Sequence, residues 1–199
     1  MPTTLLPGFS DLTQDSQKTF RALLAALSSP GDVRDIAVEM LHPEGLTAGC
    51  AAACLALIDF ETTVWLQPAV PSAVSDWLRF HTGCAFTEEP ERANFAIVSN
   101  PDALCLDCFS WGSAEAPELS ATVFIQVEGW QHGPNVVLRG PGVLSSRSIS
   151  PAVSLAFWQQ WRENHRAYPR GVDCFLFAEQ QVMGLPRSAQ AQLSEEVSG

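Results

Sequence analysis

At 199 residues, with 46% hydrophobic and 17% charged side chains, the chain has the composition of a folded globular protein, and a single domain over 1–199 is expected. A net charge of −11 repels polyanions, which argues against a nucleic-acid or anionic-lipid partner. No apolar run reaches the roughly 20 residues of a membrane span, because Asp59 and Glu61 close the longest one, and no basic residue precedes the apolar stretch at Leu5-Leu6; neither a membrane span nor secretion is expected, which leaves the cytoplasm.

Hydrophobic periodicity then alternates between helix and strand. Phe20, Leu23, Leu24 and Leu27 recur at helical spacing within 11–28, and Ser28-Ser29-Pro30-Gly31 stops the run. A short strand is expected at 33–38. Thr47 is placed to cap a small-residue helix that reaches Leu57, and a strand follows at 62–66. Residues 72–80 read as a helix with Val74, Trp77 and Leu78 on one side. Phe95-Ala96-Ile97-Val98, stopped by Asn100-Pro101, has the unbroken apolar character of a buried strand. Strands are expected again at 122–127 and 135–138, joined by a turn-rich link at 128–134. Ser150-Pro151 has the hydroxyl-then-proline form of a helix start, for a helix carrying Val153, Phe157 and Trp161 and ending near Tyr168-Pro169. The last strand is expected at 173–178, and the polar stretch 189–199 is expected to fray. The alternation implies an α/β fold, a single layered domain with a mixed sheet flanked by helices.

Catalytic signatures are absent. There is no nucleophile elbow, phosphate-binding loop, zincin motif or dinucleotide fingerprint, and His42, His81, His132 and His165 have no paired spacing. No catalytic residue is assigned. Cys50-x3-Cys54 and Cys105-x2-Cys108 sit in apolar contexts (Ala51-Ala52-Ala53 and Leu104, Leu106, Phe109), so they read as buried structural thiols, and no metal is expected. Asp59 and Glu61 make no paired acid–base site. Lys18 is the sole lysine and lies opposite Phe20, Leu24 and Leu27 on its helix, which is badly placed for a Schiff base; pyridoxal chemistry is not expected, and no cofactor is assigned.

Several glycine-, proline- and arginine-bearing segments are too specific for connecting loops. They are Ser29-Pro30-Gly31 after Phe20-Arg21, Leu57-Ile58-Asp59-Phe60-Glu61-Thr62, His81-Thr82-Gly83, Gly112 with Pro117-Glu118, Leu138-Arg139-Gly140-Pro141-Gly142-Val143, Asn164 with Tyr168-Pro169-Arg170-Gly171-Val172-Asp173, and Leu185-Pro186-Arg187-Ser188. In this order they resemble the PhnH family of the bacterial carbon–phosphorus lyase system over about residues 8–188. Ser188 stands where that family more often has threonine.

The resemblance implies phosphonate catabolism. Its early step joins an alkylphosphonate to the ribose C1′ of ATP with loss of adenine, giving a ribose 1-alkylphosphonate 5-triphosphate. Subunits G, H, I and L are associated with that step, and G, H, I and J with the core complex. The resemblance also implies homodimers and a fold similar to pyridoxal-phosphate transferases without the cofactor. Two functions follow as alternatives: an accessory subunit without chemistry, or a subunit whose arginine loops hold phosphonate or ATP phosphates. Arg139, Arg170 and Arg187, each beside glycine or proline, are the candidate ligand or partner contacts. Arg170 is expected to pair with Asp173, and the Gly-Pro-Gly beside Arg139 is expected to let a ligand or partner approach. Six tryptophans exceed what one core readily hides, so Trp65, Trp77 and Trp158 are the expected dimer surface.

Overall fold

Strands covered on both sides must be apolar on both faces, and the middle of this chain supplies them. The computed structural model describes residues 6–194. A seven-stranded mixed sheet runs in the order β1 (Val33–Asp35), β9 (Gln181–Leu185), β8 (Asp173–Ala178), β5 (Thr122–Gln126), β4 (Phe95–Val98), β2 (Thr63–Leu66), β3 (Ala85–Phe86). The strands from β8 to β3 are parallel, and β9 and β1 extend the sheet by antiparallel pairing.

Side chains alternate between two layers with the period of two that strands impose. Ile97, Phe124, Phe175 and Phe177 pack with the helices α1 (Leu12–Ser28), α2 (Ala48–Leu57) and α3 (Ser72–Thr82). Val98, Val123, Ile125, Cys174 and Leu176 pack on the other side with Phe157, Trp158 and Trp161 of α4 (Leu155–Arg166). A three-stranded antiparallel sheet, β10 (Gln190–Leu193), β6 (Val136–Arg139) and β7 (Arg147–Ile149), closes that layer with Val136, Leu138, Ile149 and Ala191.

Local chemistry sets the helix ends. The Asp11 carboxylate accepts from the amides of Thr13 and Gln14 at the start of α1, and the Thr47 hydroxyl accepts from Cys50 at the start of α2. Helix α4 starts later than Ser150-Pro151 suggests. The Ala152 amide donates to the Gly129 carbonyl and the Val153 amide to that of Pro151, so this backbone is spent outside the helix, and Ser154 becomes the cap.

Three further expectations change. Phe20 and Leu24 are about half exposed, while Asp15, Thr19, Leu23 and Ala26 form the buried side of α1. Asp15 is tolerated there because it accepts from the Asp11 amide and from Ser10 and pairs with Lys18; the backbone bond above all holds its carboxyl below the usual range. Residues 190–193, expected to fray, form β10 against β6; the rest of that tail, 195–199, lies outside the described residues. The two strands flanking 128–134 belong to different sheets. Trp77 and Trp158 are buried, at 1% and 3% exposure, and so cannot supply a dimer surface.

Helix α1 meets β9 at Gly184, where an added Cβ would lie 2.5 Å from the Ala26 carbonyl atoms. Backbone on both sides leaves no flexible group to yield. Gly184→Ala is therefore expected to cost about 2 kcal/mol or more and to lower Tm by roughly 4–8 °C in thermal unfolding.

Candidate functional site

In an open α/β sheet, ligands favour the carboxyl ends of parallel strands where successive connections diverge. Here β2 leads through α3 to β3 on one side, while β4 leads to β5 on the other. The divergence lies between β2 and β4. Two chain segments of similar pattern, Thr63-Val64-Trp65-Leu66-Gln67 and Thr122-Val123-Phe124-Ile125-Gln126, each bring a glutamine to this edge.

The buried Gln67 oxygen accepts from the amides of Ser99 (3.0 Å) and Asn100 (2.8 Å), and its Nε2 donates to the Asn100 carbonyl (3.0 Å). Gln126 does the same work for the loop ahead of α2: its Nε2 donates to the Gly45 carbonyl (2.8 Å) and its oxygen accepts from the Thr47 amide. These amides serve backbone groups that would otherwise be left unpaired as the strands end. Sequence reasoning missed both. The available signal was the polar residue that closes each of two otherwise apolar strands.

Above this edge lies a cleft of about 780 Å³. Thr47, Ser99, Asn100, Gln126, His132 and Ser154 give it hydrogen-bonding groups, and Thr47 and Ser154 are the caps of α2 and α4. Asp102 and Glu128 are its charged members, and among the described residues no arginine or lysine lines it. His132 makes no hydrogen bond to a hydroxyl among the described residues, and the Ser154 hydroxyl accepts from the Phe157 amide. The cleft is built for hydrogen bonding to a polar ligand rather than for nucleophilic attack.

The sequence-predicted residues lie elsewhere. Arg187, after β9, grips Asp173 at the start of β8 through Nε (3.2 Å to each oxygen) and Nη2 (2.6 Å), and its Nη1 donates to the Pro117 carbonyl at 2.7 Å. The Arg187 amide also donates to Asp173, at 2.7 Å. The pairing expected of Arg170 thus belongs to Arg187. Arg170 is exposed in the turn after α4, Arg139 is exposed at the end of β6, and neither side chain has an ion pair among the described residues. None of the three arginines lines the cleft.

The room expected beside Arg139 is taken by the chain itself. A Cβ at Gly142 (φ 80°) would sit 2.1 Å from the Ser28 carbonyl oxygen, and one at Gly140 would sit 2.8 Å from that of Ser188. Left-handed backbone and close approach both require glycine there.

Other candidates separate similarly. Asp59 accepts from the Glu61 amide at 3.0 Å in an exposed turn. His81 and His165 each meet a backbone carbonyl, of Leu6 at 2.9 Å and of Arg187 at 3.1 Å. Cys50, Cys54, Cys84 and Cys174 are buried, and burial pushes the thiols of Cys54, Cys84 and Cys174 up. Cys105 and Cys108 are exposed, against expectation. Their apolar neighbours Leu104, Leu106 and Phe109 turn inward, and the thiols are left on the outer side of a tight turn.

Comparison with known proteins decides the family. The family described as "Bacterial phosphonate metabolism protein (PhnH)" matches residues 7–192. The chain belongs to this family. Among its relatives is the Alpha-D-ribose 1-methylphosphonate 5-triphosphate synthase subunit PhnH of Rhizobium meliloti (strain 1021), 32% identical over 188 residues, which are 93% of this chain and 94% of that one. A second is the provisionally assigned C-P lyase subunit protein HtxG of Stutzerimonas stutzeri, 27% identical over 178 residues, covering 89% of this chain and 86% of the relative.

Denaturant unfolding of four variants separates the structural groups from the exposed ones. Arg187→Ala leaves Asp173 facing a mostly buried void and is expected to cost about 2–3 kcal/mol in denaturant unfolding. Arg139→Ala and Arg170→Ala should stay within about 0.5 kcal/mol of the parent. Gln67→Ala unpairs two partly buried backbone amides and should cost about 1–2 kcal/mol.

Proposed function

We propose that the chain is an accessory, non-catalytic subunit of a carbon–phosphorus lyase assembly, supporting synthesis of ribose 1-alkylphosphonate 5-triphosphate from ATP and an alkylphosphonate. The observation that carries this reading is the match along almost the whole chain to a relative named as a subunit of a ribose 1-methylphosphonate 5-triphosphate synthase. The cleft supports the accessory role, because it offers no lysine and no hydrogen-bonded nucleophile–base pair among the described residues. Its partners on this reading are subunits G, I and J, with L in the early step, and a second copy of itself.

The same reading makes the large sheet that of a pyridoxal-phosphate transferase which no longer holds the cofactor. Lys18 supports it: the chain's sole lysine is on α1, paired with Asp15 at 3.2 Å, and does not line the cleft. A cytoplasmic location belongs to the reading as well. It is supported by six unpaired cysteines, and no helix among the described residues is long and apolar enough to cross a membrane.

For partner surfaces we look to exposed groups. Arg139 and Arg170 are proposed to meet carboxylates of a sibling subunit, since their guanidiniums lack an ion pair among the described residues. Leu12, Phe20 and Leu24, at 75%, 49% and 54% exposure on α1, are the proposed apolar contact for the second copy.

Co-expression with the sibling subunits tests the reading. The chain is expected to co-elute stoichiometrically with them, and the isolated chain should release no adenine from ATP and methylphosphonate. Adenine release by the chain alone would make it an enzyme, and elution apart from the siblings would remove it from the assembly. In light scattering the parent should be a dimer and Phe20→Glu a monomer at micromolar concentration. A monomeric parent overturns the dimer half of the reading.

A further inference from the structure

The exposed turn at Cys105–Cys108 lies outside the cleft and is absorbed by none of the roles above. The geometry points to a binding site for one thiophilic divalent ion of the zinc class, held by Cys105 Sγ, Cys108 Sγ and an Asp107 carboxylate oxygen. These donor atoms all lie within 4.8 Å of one another, and all three residues are exposed, so an ion can enter from solvent.

Spacing and ligand type agree with this assignment. Two thiols in a C-x2-C arrangement are a common zinc half-site, and a site with three protein ligands leaves one tetrahedral position to water. Sulfur donors select against magnesium and calcium, which want oxygen alone. The Cys105 thiol already donates to Asp107 Oδ1 at 2.7 Å, so two of the three ligands point at a shared space.

The turn is also held from behind. Leu106 is fully buried between the ligands, its amide donates to Gln160 Oε1 of α4 (2.8 Å), and Gln160 Nε2 donates to the Leu104 carbonyl (3.0 Å). The Trp111 indole donates to the Leu106 carbonyl at 2.9 Å. A turn clamped on both sides presents its ligands with little entropy left to lose. On binding, each thiol proton passes to the buffer and the thiolate sulfur coordinates the ion, with no change of oxidation state.

A catalytic dithiol fits less well. The hydrogen bond to Asp107, then the neighbouring Cys108 and burial, push the Cys105 thiol up to about 12, so it supplies little thiolate at neutral pH. A bound cation reverses that balance by its own charge.

Cadmium titration of the reduced, chelator-treated full chain tests the site, read by ultraviolet thiolate-to-cadmium absorbance and by dialysis with elemental analysis. One ion per chain is expected, with affinity lost at least about tenfold in Cys105→Ser and in Cys108→Ser and retained in the buried control Cys84→Ser. Cadmium should displace zinc bound at the same stoichiometry, because the softer ion binds thiolates more tightly. Circular dichroism of the serine variants should match the parent, because the changed side chains are exposed. Failure of the parent to bind at one equivalent, or undiminished binding in both serine variants, overturns the assignment. So does a Cys105–Cys108 disulfide in freshly purified protein, shown by resistance to alkylation until reduction.

Discussion

Two neutral amide side chains hold the carboxyl edge of the large sheet, and the rest of the molecule's shape at that end depends on them. Parallel strands leave backbone donors and acceptors unpaired where they stop. Gln67 answers for the exit of β4 by binding Ser99 and Asn100, which fixes where Asn100-Pro101 turns. Gln126 answers for the entry to α2 by binding Gly45 and Thr47. Both loops wall the cleft, so its shape follows from two hydrogen-bond ties rather than from packing alone. Because the ties are amides, they add no charge to the opening.

The arginine and glycine segments of the PhnH family serve a different end of the molecule. Arg147 pairs with Asp32 (2.9 Å) and donates to the Pro30 carbonyl (2.6 Å), while Gly31 lies where a Cβ would strike Leu138 and crowd Arg147 and Ile149. Gly142 accepts the approach of Ser28, and Gly140 that of Ser188. The end of α1, the small sheet and the segment after β9 are thereby clasped together. Residue-specific loops of this kind invite a ligand reading from sequence, yet close backbone contact alone explains the glycines.

Much of the frame was legible because strong periodicity survives tertiary context. The apolar runs at 95–98 and 173–178 needed no outside information, nor did the helix expected at 72–80, which the structure extends to Thr82. What was hidden needed a partner to become visible. β9 carries a glycine and starts just beyond β8, after Glu179 and Gln180, and no strand is expected there; β10 is polar and becomes a strand only against β6. On α1 the apolar stripe misled, because Thr19 donates to the Asp15 carbonyl and both residues go under while Phe20 and Leu24 stay out. Around Cys105 the surrounding leucines suggested a buried run, but a tight turn sent its apolar and sulfur-bearing residues to opposite sides. In the cleft, glutamine is too common a residue to single out without knowing that two strands end side by side with β4.

Charge distribution supplies the remaining link between fold and role. In a chain of net −11, most guanidiniums have a carboxylate at hand: Arg34, Arg79, Arg92, Arg147, Arg166 and Arg187 all do. Of these, the Arg187 pair is the most buried and welds two strands, whereas the short-range helix and turn pairs at the surface contribute little. Arg139 and Arg170, like Arg21 on α1, are exposed and without an ion pair among the described residues, in a protein with carboxylates to spare. Their own chain neither desolvates nor orients them. Burying such a group against another subunit's carboxylate gains more than an exposed internal pair, because water is excluded and the planar fork can bind both oxygens. Under that logic the cations that hold the fold and the cations left for assembly are different arginines, and none of Arg139, Arg170 and Arg187 lines the cleft.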